Sequence, residues 1–377
     1  MLNDMDIRER ILSVFAGEKP DCVPFILDMS HWYYHRYSLS WDLTMPYDDP
    51  DEGLIDIHKK FNAGFYVPIF GIGWKVQYTN DVECRVWKEK YGNSISIVWE
   101  YHTPYGTIRR RRVWEQKSYS WPIKEWGIKS RNDLKILQYA LVHRTFYPDF
   151  NSYIRWKKAV GRFGIVYMPF GYSAMGQLLN AWMGVAETIY ATYDMEQDLK
   201  EFVSQVNENN LKLVDLLCES PAEVIMMGDN FSSDIQSPEF FSKWSKSFYT
   251  EAVRRFHLAG KKVSVHIDGK LKNCIKMIAE TGADCGDAIT PAPMGDLTPI
   301  QCRQEAGNDF ILSGGVPPVV WLQDTGLKNF EKTVIDWLST KQESFRLFAA
   351  AGDQVPPGAE ENKIIRMREL VETYGKF

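Results

Sequence analysis

Short runs of alternating or continuous apolar residues recur along the chain, separated by longer stretches with a helical period. Val263, Val265 and Ile267 alternate with polar neighbours and stop at Gly269. Alternation of β-branched residues suits a pleated strand. Similar strand-like runs occupy 21–28, 63–69, 164–169, 223–229, 286–289, 310–315 and 345–349, and helical patterns lie at 6–17, 51–63, 198–218, 238–259, 270–281, 328–340 and 360–374. Eight strands, each followed by a helix, predict an α/β fold with a parallel sheet, and over 377 residues a (β/α)8 barrel forming a single domain, 1–377. A doubly wound open sheet is the alternative, but no GxGxxG follows the first strand.

Between about 74 and 121 the pattern changes. Alternation dominates in Lys75–Tyr78, Glu83–Trp87 and Ser94–Glu100, and a turn at Thr103-Pro104-Tyr105-Gly106 follows. These are antiparallel hairpin signals, read as an insertion after the second barrel strand. Arg109 to Arg112 lie in this segment and are expected to form a solvated edge that discourages further pairing.

Composition narrows the functional classes. The chain is 45% hydrophobic and 25% charged with a net charge of −5, which provides no basic surface for nucleic acid. It contains no apolar run long enough to span a membrane, and its first ten residues are charged and lack an apolar signal core. The six cysteines form no CxxC pair and read as free thiols of a cytoplasmic protein. Aromatic residues make up 14%, including 13 Trp, more than a core needs, so some are expected to line a pocket or cover an interface.

The chemistry-bearing residues cluster just beyond predicted strands. Asp28, Asp229 with Asn230, His266 with Asp268, and Asp353 all fall there, and in a barrel those ends converge on one face. His266 and Asp268 share a strand face because side chains alternate. Catalytic roles are expected for His266, Asp229 and Asp268. Asp28, His31, Trp32, Tyr33, Tyr172 and Asn230 are expected to contact substrate, the rings by stacking or cation–π attraction. The competing explanations are a hydrogen-bonded structural histidine and a loop of rings packed over the barrel.

The landmarks Arg8-Glu9-Arg10-Ile11, Gly17 to Pro24, Thr103-Pro104-Tyr105-Gly106-Thr107, Met183-Gly184, Met294-Gly295-Asp296, Ser313-Gly314-Gly315-Val316 and Gly352 to Gly358 follow one another over nearly the whole chain. In their order and spacing the chain resembles the uroporphyrinogen decarboxylase superfamily, and within it the corrinoid-dependent methyltransferases. The decarboxylases carry an Arg-Gln-Ala-Gly-Arg motif after the first strand that grips substrate carboxylates. Here Phe25 to Tyr33 stand in that place without an arginine, which argues against a porphyrinogen substrate. The methyltransferases have a His-x-Cys pair and a distant Cys that bind zinc. The resemblance puts His266, Asp268 and Asp353 at those positions, with both thiolates replaced by carboxylates. One His and two Asp suit either a divalent cation, zinc included, or a structural polar cluster.

The resemblance thus implies a methyltransferase that takes a methyl group from a small methoxy-aromatic or methylated amine. It passes the group to a corrinoid (cobalamin) held by a partner protein, since this chain has no Asp-x-His-x-x-Gly cobalamin motif. Two alternatives are a decarboxylase and a non-catalytic binding barrel. A homodimer is the expected assembly.

Overall fold

Period-two apolar runs become strands wherever a neighbour can complete their backbone hydrogen bonds. The computed structural model of the protein describes residues 5–45, 47–66, 71–79 and 81–377. Its strands are β1 (Gly73–Tyr78), β2 (Glu83–Tyr91), β3 (Ser94–Thr103), β4 (Gly106–Val113), β5 (Ile123–Glu125), β6 (Arg144–Asp149), β7 (Met168–Gly171), β8 (Val224–Phe231), β9 (Lys262–Ile267), β10 (Cys285–Ile289), β11 (Ile311–Val316) and β12 (Leu347–Ala351). Strands β7 to β12 form a six-stranded parallel sheet whose spatial order follows the chain without reversal. Parallel neighbours require crossovers, and helices supply them. Glu196–Cys218 follows β7, Lys246–Leu258 follows β8, Pro299–Ala306 follows β10, Leu327–Ser339 follows β11 and Glu361–Tyr374 follows β12.

Among the described residues the two earliest expected strands form isolated bridges: Phe25 with Ala349, Asp28 with Gln354, Ile26 with Gly64 and Phe65 with Gly164 in parallel, and Cys22 with Lys376 antiparallel. Residues 67–69 of the second expected strand lie outside the described residues. So do residues 1–4 of the charged N-terminal segment.

Side chains sort onto the two faces of the parallel sheet. Val263, Val265, Ile267, Leu312, Leu347 and Ala349 pack into a cluster with the flanking helices. Val224, Met226, Cys285, Ile311, Phe348 and Ala350 point the other way and join Tyr66 and Tyr167. The N-terminal helix Ile7–Ala16 covers that second cluster with Ile11, Val14 and Phe15. The helix is held by an Asp6–Glu9 capping box and ends at Gly17 in the left-handed conformation.

Strands β2, β3, β4 and β5 form a four-stranded antiparallel sheet in sequence order. The register pairs Thr103 with Gly106, so Pro104 and Tyr105 make the expected two-residue turn. Two expectations for this region change. Lys75–Tyr78 does not join the sheet, because β1 pairs with β6, far away in sequence. The arginine run is not an edge either, since β4 is paired with β3 on one side and β5 on the other.

The helix expected at 270–281 is cut to Cys274–Ala279. Asp296 Oδ1 accepts from the Leu271 and Lys272 amides at 2.7 and 3.3 Å and holds the preceding loop out of helical register. Asp296 therefore does not cap the helix that follows it. Thr298 does that, in a capping box with Gln301.

All six cysteines are free thiols. Among the described residues no helix is long and apolar enough to cross a membrane.

Candidate active site

The polar residues of the parallel sheet continue its second face beyond the apolar cluster. On β9, Ser264 and His266 share a face, and parallel register sets Asp287 of β10 opposite His266. His266 Nδ1 donates to Asp287 Oδ2 at 3.4 Å, and Asp287 Oδ1 accepts from Ser313 Oγ of β11 at 3.2 Å. Burial disfavours the imidazolium, but Asp287, Asp353 and Asp268 outweigh it and push His266 up to about 9. Asp353, just past β12, is pushed up to about 7, first by burial, with His266 opposing and Asp268, Asp28 and Asp287 adding to the rise.

Asp28 adjoins this group. Its Oδ1 accepts from the Ser30 amide at 2.9 Å and the Ser30 hydroxyl at 2.5 Å, and its Oδ2 accepts from Gln354 Nε2 at 3.1 Å. Burial raises its pKa despite these bonds. The Tyr66 hydroxyl feels Asp287, Asp28 and Asp353 together, and burial and those charges keep it un-ionised. Sequence reasoning overlooked Asp287, Ser313, Tyr66 and Gln354, since each sits in a segment whose local pattern reads as ordinary strand or loop.

A second polar unit forms where β7 ends. Asp229 is fully buried and accepts from the Ser173 amide at 2.8 Å and from the Ser173 hydroxyl. Ser173 also caps the short helix Ala174–Gln177, so one hydroxyl links a helix start to a carboxylate. Burial pushes Asp229 up to about 6. The Tyr249 hydroxyl lies close to Asp229, yet falls short of hydrogen-bond geometry. A Cβ on Gly176 would collide with the Asp229 carboxylate, so glycine is required there. Tyr172 stands next to this unit, its hydroxyl within electrostatic reach of Asp229, Arg110 and Arg112.

Other expected site residues have different work. Trp32 is in the core and donates from Nε1 to the Ala359 carbonyl at 2.9 Å. Tyr33 packs against Tyr34 and Tyr37, while Tyr34 donates to Asp51, the N-cap of helix Glu52–Phe61. Trp32, Tyr33 and Tyr34 lie on helix Ser30–Arg36. His31 Nε2 lies 3.1 Å from the carbonyls of both Ser118 and Tyr119, fastening the end of the antiparallel sheet's last loop. Asn230 takes a left-handed backbone at φ 51 where the β8–β9 register shifts.

Asp268 is exposed, and among the described residues no group of three or more His, Cys, Asp or Glu is arranged to hold a metal ion. His266, Asp268 and Asp353 are neighbours in charge without being a ligand set. His266 Nδ1 is turned to Asp287 and Asp268 is exposed, so the three residues are not gathered as one donor set for a divalent cation.

A profile of the family described as uroporphyrinogen decarboxylase (URO-D) matches residues 157–374, more than half of the chain. The chain belongs to that family. The matched region of this URO-D protein holds β7 to β12, and with them Asp229, His266, Asp287 and Asp353. No curated protein matches the chain. Among solved structures, a methyltransferase from Methanosarcina mazei aligns with a TM-score of 0.65 at 13% identity, covering 98% of this chain and 99% of that one. At that identity the likeness concerns the fold. A muconate lactonizing enzyme from Pseudomonas putida aligns at a TM-score of 0.27 and 9% identity, covering 78% and 77% of the two chains, too weak to bear on this URO-D fold.

Proposed function

We propose that the protein is a methyltransferase that removes a methyl group from a small methylated donor and passes it to a corrinoid carried by a partner protein. The carrying observation is the polar assembly on one face of the parallel sheet: His266 bonded to Asp287, with Asp353 and Asp28 within electrostatic reach. In this reading the whole chain acts as one domain. The bridges of Phe25 to Ala349, Ile26 to Gly64 and Phe65 to Gly164 support a reading in which the sheet is part of a (β/α)8 barrel with the antiparallel sheet as an insertion.

Methyl loss from an ether oxygen or an amine is slow because the leaving atom departs with its electron pair. A corrinoid, when bound, supplies the nucleophile for the methyl carbon. This chain's contribution is the proton that neutralises the leaving atom. His266, held at about 9, carries such a proton at neutral pH, and its Nδ1 bond to Asp287 fixes the ring so that the other nitrogen is free to donate. Asp229 and Asp353, at about 6 and about 7, are further donors in a desolvated setting. No step in this reading passes through a metal.

The test mixes the full-length protein with a cobalt(I) corrinoid protein and separate methoxy-aromatic and methylamine donors, following the corrinoid absorption change. Methylation with at least one donor is expected. His266→Gln should lower the rate by about a hundredfold, the usual worth of a positioned general acid, with the fold intact by circular dichroism. No methylation from any donor removes the proposal. Equal rates in the variant remove His266 from the site.

A further inference from the structure

Strand β4 carries two kinds of arginine. Side chains alternate, so Arg109 and Arg111 share one face and Arg110 and Arg112 the other. Arg111 is fully engaged: it pairs with Glu89 and with Glu125 and donates to Ser96 Oγ at 2.8 Å. Arg110 and Arg112 have no carboxylate partner among the described residues. The Arg110 guanidinium lies over Trp99 and Trp182 at 4.7 and 5.0 Å from the ring centres, and donates only to the Ala181 carbonyl at 3.2 Å. Its Nε is buried without a hydrogen-bond partner. Arg112 donates only to the Trp121 carbonyl at 2.9 Å.

A guanidinium has five N–H donors, so both groups are under-used. Burial and the neighbouring Arg112 push Arg110 down to about 10. Arg303 is also pushed to about 10 by burial and has an unpartnered Nε, but its other nitrogens make more bonds than those of Arg110. Arg303 donates to the carbonyls of Gly307, Phe310 and Arg346, and Arg144 to the Leu141 carbonyl and the Asn210 amide oxygen. Two uncompensated cations side by side are costly unless an anion arrives to neutralise them. Half-buried Tyr172 lies within electrostatic reach of both arginines.

We propose that Arg110, Arg112 and the Tyr172 hydroxyl form a subsite for a carboxylate on the substrate. The inference rests on the methyl-transfer reading, and it names the donor class: a methoxylated aromatic acid. Arginine forks match a carboxylate in two parallel hydrogen bonds, and the tyrosine hydroxyl adds a third donor. A methylated ammonium is disfavoured by the same two positive charges. The rings that would suit it by cation–π contact, Trp99 and Trp182, are already taken up by Arg110.

The probes are 4-methoxybenzoate and its neutral near-isostere 4-methoxybenzamide, titrated against the full-length protein by tryptophan fluorescence. Trp99 and Trp182 flank Arg110 and report on the subsite. The acid should bind at least about tenfold more tightly than the amide, the worth of one charge-assisted hydrogen bond. Arg112→Gln should abolish that preference and Arg112→Lys should restore part of it, whereas the exposed Arg109→Gln should leave it unchanged. Arg110→Lys, which keeps the charge but loses the fork, should weaken acid binding while amide binding stays the same. Equal affinity for acid and amide, no binding of either, or a preference that survives Arg112→Gln overturns the subsite. The measurement needs neither corrinoid nor turnover. Arg112-dependent acid binding without methyl transfer would uphold the subsite and remove the methyltransferase reading.

Discussion

Asp229 illustrates how a single residue gains its chemistry from burial. Its folded-state pKa, about 6, lies above the ordinary 3.8, so folding favours the protonated form. The stabilising contribution is full below pH 3.8 and is lost as pH rises through about 6. Above that, the fold carries an ionised buried carboxylate at a cost on the order of 3 kcal/mol. Asp229→Asn retains an oxygen for the Ser173 amide and carries no charge. Urea unfolding should therefore show the variant more stable than wild type at pH 8, with the difference gone by pH 4. An unchanged difference across that range would remove the buried charge as its cause. Asp229 was legible in the sequence as a carboxylate beyond a strand. Its partner Ser173 was not, because 56 residues separate the two.

At the scale of elements, the helix Ala174–Gln177 and strand β8 touch through Gly176 and Asp229. Gly176→Ala puts a methyl group against the Asp229 carboxylate and forces a shift between these elements. A loss of about 1–3 kcal/mol in chemical denaturation is expected, as for other overpacked interiors. A weaker response of Trp182 fluorescence to 4-methoxybenzoate should accompany it. Wild-type stability would mean that the helix shifts freely. Several elements were readable beforehand. Strands β8 to β12 lie within a few residues of their apolar runs, and the Thr103 to Gly106 turn stands where its residues put it. The β1–β6 pairing and the covered position of β4 were not readable, because alternation tells that a strand exists and leaves its neighbour open. The same blindness turned Arg110 and Arg112 into an expected solvated edge.

For the whole molecule, the apolar end of the sheet's second face depends on helix Ile7–Ala16. Phe15 meets Tyr167 and Phe348 edge-on, with ring centres 6.3 and 5.6 Å apart. Phe15→Ala should cost about 3–5 kcal/mol through the cavity it leaves. Because Phe15 packs on the apolar part of that face, acid binding at Arg112 should persist wherever the variant is folded. Loss of both together would show that the two parts of the molecule are coupled.

The sequence by itself determined where most strands and helices form, and that Asp229 and His266 stand near the ends of β8 and β9 with Asp268 and Asp353 just past β9 and β12. Those features follow from period-two and period-3.6 patterns, which are local properties of the backbone. Only the tertiary structure decided which groups meet. Parallel register sets His266 against Asp287, a partner 21 residues away. Sheet pairing also half-buries Arg110, with no carboxylate partner among the described residues. Partners of this kind are fixed by the alignment of distant strands, which no local pattern encodes.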